Sequence, residues 1–112
     1  MIILQVNYSY SGMSRAEWNT RYTDATAEKF LAVQGLQWKI WLDDLAAPNV
    51  GGIYLFDTMD NAQAYLDGPI VARLKGSVPE GSVQFRLSNV RDRMTSITHG
   101  PVPGLALAEA AE

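Results

Sequence analysis

The sequence predicts an α+β domain with a four-stranded antiparallel sheet and two helices on one face. Four short segments alternate apolar and polar residues, as half-buried strands do, and two segments between them have helical periodicity. Their order is strand–helix–strand, repeated once. This split βαβ order pairs all four strands in one sheet and places both helices on the same side. A chain of 112 residues is long enough for one such domain.

The first half of the chain begins with a strand and a long helix. Residues 2–10, IILQVNYSY, alternate from face to face as a strand does. Ser14 with Glu17 three positions later forms a capping box, which predicts the start of a helix. Apolar residues at helical spacing continue that helix for about five turns, and Gly35 is its expected C-cap. These apolar positions are Trp18, Tyr22, Ala25, Phe30 and Val33.

The second half supplies the other three strands and the second helix. Strands are expected at about 36–43 and 51–57. A helix with an apolar stripe at Ala62, Tyr65 and Leu66 follows, and Gly68-Pro69 ends it. A further helical turn and a last strand from 83 to about 90 complete the predicted domain, which spans residues 1–102. Residues 103–112 follow the Pro/Gly-rich stretch GPVPG and predict a flexible C-terminal tail.

Composition excludes several classes of function. The net charge of −3, with no block of like charges, argues against a nucleic-acid partner. The chain has no cysteine and only one histidine, His99, so neither a Cys-ligated nor a His-rich metal site is expected. No apolar run is long enough to span a membrane, which together with the lack of cysteine favours a cytoplasmic protein. No motif for a phosphate, dinucleotide or metal cofactor is present, and no cofactor is expected.

The predicted sheet raises the question of what covers its second face, because two helices cover only one. A set of mainly aliphatic residues is expected on that second face, and these side chains cannot remain in water. Pairing with a second copy of the chain would bury it, which predicts a homodimer. The set comprises Leu4, Val6, Leu36, Trp38, Ile40, Ile53 and Leu55.

The opposite positions predict a pocket for a small planar ligand, with aromatic walls and a few polar groups. They comprise Gln5, Asn7, Lys39, Trp41, Tyr54, Phe56 and Arg86. Lys39 and Arg86 are candidates to stabilise an enolate or phenolate. A structural alternative stays open for each: the aromatic rings pack in the core, both cations lie at the surface, and Asn7 hydrogen-bonds to the backbone. His99 is either solvated or carried over the pocket as a proton acceptor.

The stretch GLQWKIWLDD, the strand GGIYLF and the segment AQAYLDGPIVARLK resemble the YdhR family of monooxygenases. That family lies within the dimeric α/β-barrel superfamily, which includes antibiotic-biosynthesis monooxygenases. The resemblance covers about residues 1–102 and implies a ferredoxin-like fold whose sheets pack face to face in a dimer. It places the pocket between each sheet and its own helices, with Asn7, Tyr54 and Phe56 inside and Trp18, Tyr22 or Tyr65 closing it. The superfamily's Trp near the end of the third strand is replaced by Phe56.

The resemblance implies a monooxygenase without metal or flavin, acting with O₂ on a small aromatic or polyketide-like substrate. In this hypothesis Lys39 or Arg86 stabilises the substrate anion, Asn7 anchors it, and His99 is a candidate base. Trp41, Tyr54 and Phe56 form the walls. Two alternatives remain: a cyclase or isomerase on the same scaffold, and a small-molecule-binding module without catalysis.

Overall fold

The computed structural model describes residues 1–44 and 46–104. Within them the strands are β1 (Ile2–Ser9), β2 (Leu36–Asp43), β3 (Asn49–Phe56) and β4 (Gln84–Asn89). The helices are α1 (Arg15–Asn19), α2 (Asp24–Glu28), α3 (Met59–Leu66), α4 (Pro69–Ser77) and α5 (Asp92–Ile97), and a 3₁₀ helix spans Lys29–Ala32. The predicted fold class is confirmed: this is a ferredoxin-like α+β domain.

All four strands pair antiparallel in the order β2-β3-β1-β4. Leu4 of β1 lies opposite Tyr54 of β3 on one side and opposite Leu87 of β4 on the other. Residues that lie directly opposite each other share a face of the sheet. The even-numbered residues of β1 therefore share a face with Tyr54 and Phe56, and this face packs on the helices to form the core. The buried core residues are Ile2, Leu4, Val6, Tyr54, Phe56, Ala62, Tyr65 and Val71.

This register corrects the predicted aliphatic face. Leu4 and Val6 are buried in the core on the helix side, and Leu36 packs against the same core because an irregularity between Leu36 and Trp38 shifts the register of β2. Apart from Leu36, the predicted alternation within each strand agrees with the structure, but the prediction gives β1 the wrong face relative to β2 and β3. On the face without the helices, hereafter the open face, Ile53 lies opposite Ile40.

The chain itself covers part of the open face. Val102 is buried against Leu55, and Trp38 packs beside them. The Trp38 indole Nε1 donates a hydrogen bond of 2.7 Å to the Pro101 carbonyl. The segment after β4 therefore returns across one end of the sheet, by way of α5, a helix that the sequence did not predict. Ile40 remains 47% exposed, so the cover is incomplete.

The long helix predicted after Ser14 is wrong as a single element. The Ser14 cap is present, since its hydroxyl accepts a hydrogen bond from the backbone N–H of Glu17 at 3.1 Å. Thr23 is extended, however, and its hydroxyl caps a second helix by accepting from the N–H of Thr26. Threonine competes well for helix N-caps, which explains why α1, α2 and the 3₁₀ helix replace one continuous helix.

Arg15 joins α1 to the hairpin between β2 and β3. Its guanidinium donates to Asp43 Oδ1 at 2.6 Å and to the backbone carbonyls of Asp44 and Ala47 at 2.6 and 3.0 Å. Three bonds from one guanidinium fix the direction of the hairpin more firmly than a single ion pair. They hold the end of the edge strand β2, which carries Lys39 and Trp41.

Two further predictions concern the C-terminal tail and membrane-spanning segments. The predicted tail at 103–112 falls mostly outside the described residues, since 105–112 are not among them. In the described part of the chain, no helix is both long enough and apolar enough to cross a membrane.

We expect Gly35→Ala to destabilise the fold by more than Gly81→Ala. Both glycines have positive φ, +80° and +78°, which costs an alanine about 1–2 kcal/mol. At Gly35 the new Cβ would also lie 2.4 Å from Asp57 Oδ1 and 2.5 Å from Asn61 Nδ2, whereas at Gly81 it meets no described atom within 4 Å. Urea unfolding of both variants measures the difference. Equal losses of stability would contradict the crowding described at Gly35.

Candidate functional site

An aromatic chamber of about 200 Å³ lies between the sheet and its helices. It opens between the α1–3₁₀ region and α4, with β1, β2 and β3 as its floor. The lining residues are Tyr8, Trp18, Arg21, Tyr22, Thr26, Lys29, Phe30, Lys39, Trp41, Gly51, Tyr54, Tyr65, Ile70, Arg73, Leu74 and Ser77. Seven of them have aromatic rings, as in sites for flat organic ligands.

Lys39 reaches into this chamber from the edge strand. Its Nζ lies 3.3 Å from the ring centroid of Trp41, 3.7 Å from that of Phe30 and 4.8 Å from that of Tyr54. No carboxylate of the described residues pairs with it. Burial without a counter-ion lowers the pKa of Lys39 to about 7, so a large fraction of the amine is neutral near neutral pH.

Gly52 makes the room that Lys39 occupies. A Cβ at this position would lie 3.0 Å from Lys39 Cε and 3.2 Å from Tyr54 Cε1, closer than most real contacts. Its neighbour Gly51 approaches the other central strand so closely that a Cβ would lie 2.0 Å from the Val6 carbonyl oxygen. The glycine pair therefore serves close strand packing and the space of the chamber.

Tyr54, whose ring lies near the Lys39 amine, forms a pair of hydroxyls with Tyr65. Tyr65 Oη donates to Tyr54 Oη at 3.2 Å, and both side chains are buried. Burial raises the pKa of both hydroxyls, so each keeps its proton at neutral pH and serves as a hydrogen-bond donor. Because Tyr54 accepts from Tyr65, its own proton is left to donate to another acceptor.

A second group of rings forms the wall on the α1 side. Trp18 stacks on Tyr10 with centroids 4.9 Å apart, and its Nε1 donates to Tyr22 Oη at 2.9 Å. Tyr22 meets Trp41 edge to face at 5.8 Å. Trp18 is 5% exposed, whereas Tyr22 is 41% and Trp41 37% exposed. Tyr22 and Trp41 therefore stand at the mouth, and Trp18 supports them from behind.

The structure brings together six of the ten residues that the sequence proposed for the site. Lys39, Trp41, Tyr54, Tyr65, Trp18 and Tyr22 all line the chamber. Phe56 does not line it; the ring is completely buried in the core beneath, parallel to Tyr54 at 6.4 Å between centroids.

Three of the four proposed catalytic residues lie outside the chamber. Asn7 alternates with the core residue Val6, and Arg86 lies opposite Gln5, so both are on the open face and exposed. The prediction that Gln5, Asn7 and Arg86 share a face with Lys39 is wrong, for the same reason of strand register. His99 is exposed after α5 with φ +62°, and it does not line the chamber.

A larger groove of about 570 Å³ does contain Asn7, but its chemistry differs. It lies beside the β2–β3 hairpin and is lined by Asn7 together with Asp43, Asp44 and mostly polar neighbours. Tyr8 is its single aromatic lining residue among those described. Two carboxylates and few apolar walls do not suit a flat apolar ligand.

Sequence reasoning did not assign Tyr8, Phe30 and the basic residues Arg21, Lys29 and Arg73 to the site. Tyr8 has the same parity in β1 as Leu4 and Val6, so the correct register would have placed it in the chamber. Phe30 was assigned to a helical stripe. No group of three or more His, Asp or Glu side chains that could hold a metal ion occurs in the described part of the chain.

Solved structures similar to this chain share its fold at low sequence identity. A protein of unknown function from Nitrosomonas europaea, NE2512, matches with TM-score 0.64 and 18% identity over 80% of this chain and 88% of that one. A monooxygenase from the gene ActVA-Orf6 of Streptomyces coelicolor, in complex with the ligand nanaomycin D, matches with TM-score 0.61 and 14% identity over 80% and 87%. These likenesses show the fold alone.

A third similar structure is described as a "putative antibiotic biosynthesis monooxygenase" from Deinococcus radiodurans, with TM-score 0.63 and 15% identity over 80% of this chain and 92% of that one. No match is found among curated proteins. The family model described as "Putative mono-oxygenase ydhR" matches residues 3–101, which is most of the chain and includes every residue of the chamber. The chain therefore belongs to the ydhR mono-oxygenase family.

Proposed function

We propose that the protein is a cofactor-independent monooxygenase that oxidises a small, electron-rich aromatic substrate in the aromatic chamber. The single observation that carries this proposal is the position of the Lys39 amine. It lies among the ring faces of Phe30, Trp41 and Tyr54, without a carboxylate partner among the described residues. Membership in the ydhR family is consistent with oxygenation.

Lys39 acts as the general base in this proposal. Its neutral amine removes a proton from an activated CH₂ group, such as the one between the two rings of an anthrone. The substrate becomes a resonance-stabilised carbanion, and its enolate oxygen accepts a hydrogen bond from Tyr54. A base with a pKa near the working pH suits such a transfer, because a useful fraction is neutral and the product ammonium is still favourable.

Oxygen then reacts with the carbanion by electron transfer, a step that needs no proton. One electron passes from the carbanion to O₂, and the substrate radical and superoxide combine to a peroxide. The Lys39 ammonium returns its proton to this peroxide, which loses water to leave a carbonyl. The net change is R₂CH₂ + O₂ → R₂C=O + H₂O, with the substrate oxidised and O₂ reduced. The aromatic walls contribute orientation and exclusion of water.

Lys39→Met is expected to lower the rate of anthrone oxidation by about 10²–10⁴-fold, the usual contribution of a general base. Oxygen uptake and carbonyl formation, followed together, should occur in equal amounts for the wild type. Lys75→Met is the matched control, because Lys75 packs over Phe85 and does not line the chamber. Full activity of Lys39→Met would contradict the assigned base. Turnover under strict anaerobiosis would instead identify a cyclase or isomerase.

The stability of the wild type relative to Lys39→Met is expected to rise with pH. The pKa of Lys39 is about 7 when folded and about 10.5 otherwise, so between these values the unfolded chain binds more protons and the free energy of unfolding increases. The slope reaches at most about 1.4 kcal/mol per pH unit. Below pH 7 the difference should be flat.

Urea unfolding of both proteins across this pH range provides the measurement. The comparison with Lys39→Met is needed because the buried tyrosines, whose pKa values burial raises, lower the stability of both proteins at high pH. They cancel in the difference. A stability difference that does not change with pH would mean that Lys39 keeps an ordinary pKa.

We also propose that two copies of the chain pair through the part of the open face that the C-terminal segment leaves uncovered. Ile40 is 47% exposed there and lies beside Ile53. We expect Ile40→Glu to convert a dimer into a monomer of 12.3 kDa in sedimentation at micromolar concentration. Leu31→Glu is the control, since Leu31 is 86% exposed but lies in the 3₁₀ helix on the other side of the sheet. A monomeric wild type would refute the pairing.

A further inference from the structure

The charged residues that line the aromatic chamber, among those described, are all basic. Four of the nine basic residues of the chain line it: Arg21, Lys29, Lys39 and Arg73. None of the acidic residues that the structure describes does so, although the chain has 12 in all and a net charge of −3. The chamber is therefore the basic site of an acidic protein, and a field of this kind attracts anions.

Three of these cations stand at the mouth and are available to a ligand. Arg21, Lys29 and Arg73 are exposed, and no ion pair with a described carboxylate is recorded for any of them. The Arg21 guanidinium lies over the Trp18 ring, 4.6 Å from its centroid. That stacking holds its position at the rim and leaves its N–H groups in the ring plane for another partner.

We propose that the substrate is a planar aromatic acid, with its ring in the chamber and its carboxylate between Arg21, Lys29 and Arg73 at the mouth. This inference rests on the proposed function, because it names the substrate class of the same site. Arginine suits a carboxylate because its guanidinium presents two parallel N–H donors to the two oxygens. The ring faces of Trp41 and Tyr54 suit the flat apolar body.

The size of the chamber further limits the class of substrate. Its volume of about 200 Å³ is below that of the usual pocket for a drug-sized ligand, about 300–1,000 Å³. A flat body of one to three fused rings suits such a space, with polar substituents directed to the mouth.

The test compares 2-naphthoate with 2-naphthamide, which has nearly the same shape and no charge. Calorimetric titration of the full chain at low ionic strength (about 0.01 M, where charges act over about 30 Å) should show naphthoate binding roughly tenfold more tightly. Raising the ionic strength to about 1 M should remove most of that preference, since charges then act over only about 3 Å.

Variants test whether the cations at the mouth cause the preference for naphthoate over naphthamide. Arg21→Gln combined with Arg73→Gln should weaken naphthoate binding roughly tenfold and change naphthamide binding less than twofold. Arg91→Gln removes a positive charge that does not line the chamber and should change the binding of either probe less than twofold. Equal affinities of the two probes for the wild type, no binding of naphthoate at millimolar concentration, or a double variant with unchanged preference would each overturn the proposal.

These outcomes are separable from failure of the proposed oxygenase, because binding is measured without turnover. A salt-sensitive preference for naphthoate in a protein that consumes no O₂ with any substrate would retain the aromatic-acid site and refute the oxygenase. Oxidation of a neutral anthrone, with no preference for acids in binding, would retain the oxygenase and refute the aromatic-acid site.

Discussion

The pairing of the two central strands decides which side chains enter the chamber. In that pairing Val6 lies opposite Gly52 and Asn7 opposite Gly51. The strands approach each other so closely at Gly51 that no larger residue fits beside the Val6 carbonyl, and Gly52 leaves space for Lys39 and Tyr54. Since a shift by one residue would move every side chain to the other face, this register places Tyr8 and Tyr54 among the helices and Asn7 on the opposite side.

Two opposing effects determine the protonation state of Lys39 in the space that this register creates. Contact with aromatic ring faces favours the ammonium by about 0.5–2 kcal/mol per well-placed ring. Removal from water without a carboxylate partner costs several kcal/mol and favours the neutral amine. Burial lowers the pKa of Lys39 to about 7. The amine is thus close to balance, and an anion that enters the chamber would shift it toward the charged form.

Much of the fold could be predicted from the sequence because each strand carries its own alternation. The alternation within β1, β3 and β4, and within β2 from Trp38 onward, agrees with the prediction, and the order of elements was sufficient for the topology. The relation between strands was not available, because alternation in one strand says nothing about its register against another. That missing relation explains why Lys39, Trp41 and Tyr54 were grouped correctly while Asn7 and Arg86 were not.

Competition between helix continuation and helix capping accounts for the difference between the predicted long helix and the observed short ones. Trp18, Tyr22 and Phe30 have helical spacing, but the periodicity could not reveal that Thr23 would cap a second helix instead of continuing the first. Because the helix is interrupted at Thr23, the chain turns between Trp18 and Phe30. Both rings therefore reach the chamber from different directions, and Arg21 and Lys29 flank its mouth.

The chamber and the open face are built from alternate residues of the same strands. Along β2, Lys39 and Trp41 point to the helices, and Ile40 between them belongs to the open face. The described residues that line the chamber come from β1, β2 and β3 and from the helices that cover them. Pairing through the open face would act on the chamber through the strands themselves, by restricting the edge strand β2. The interaction that holds Lys39 in place and the proposed contact between copies therefore share one strand while using its two opposite faces.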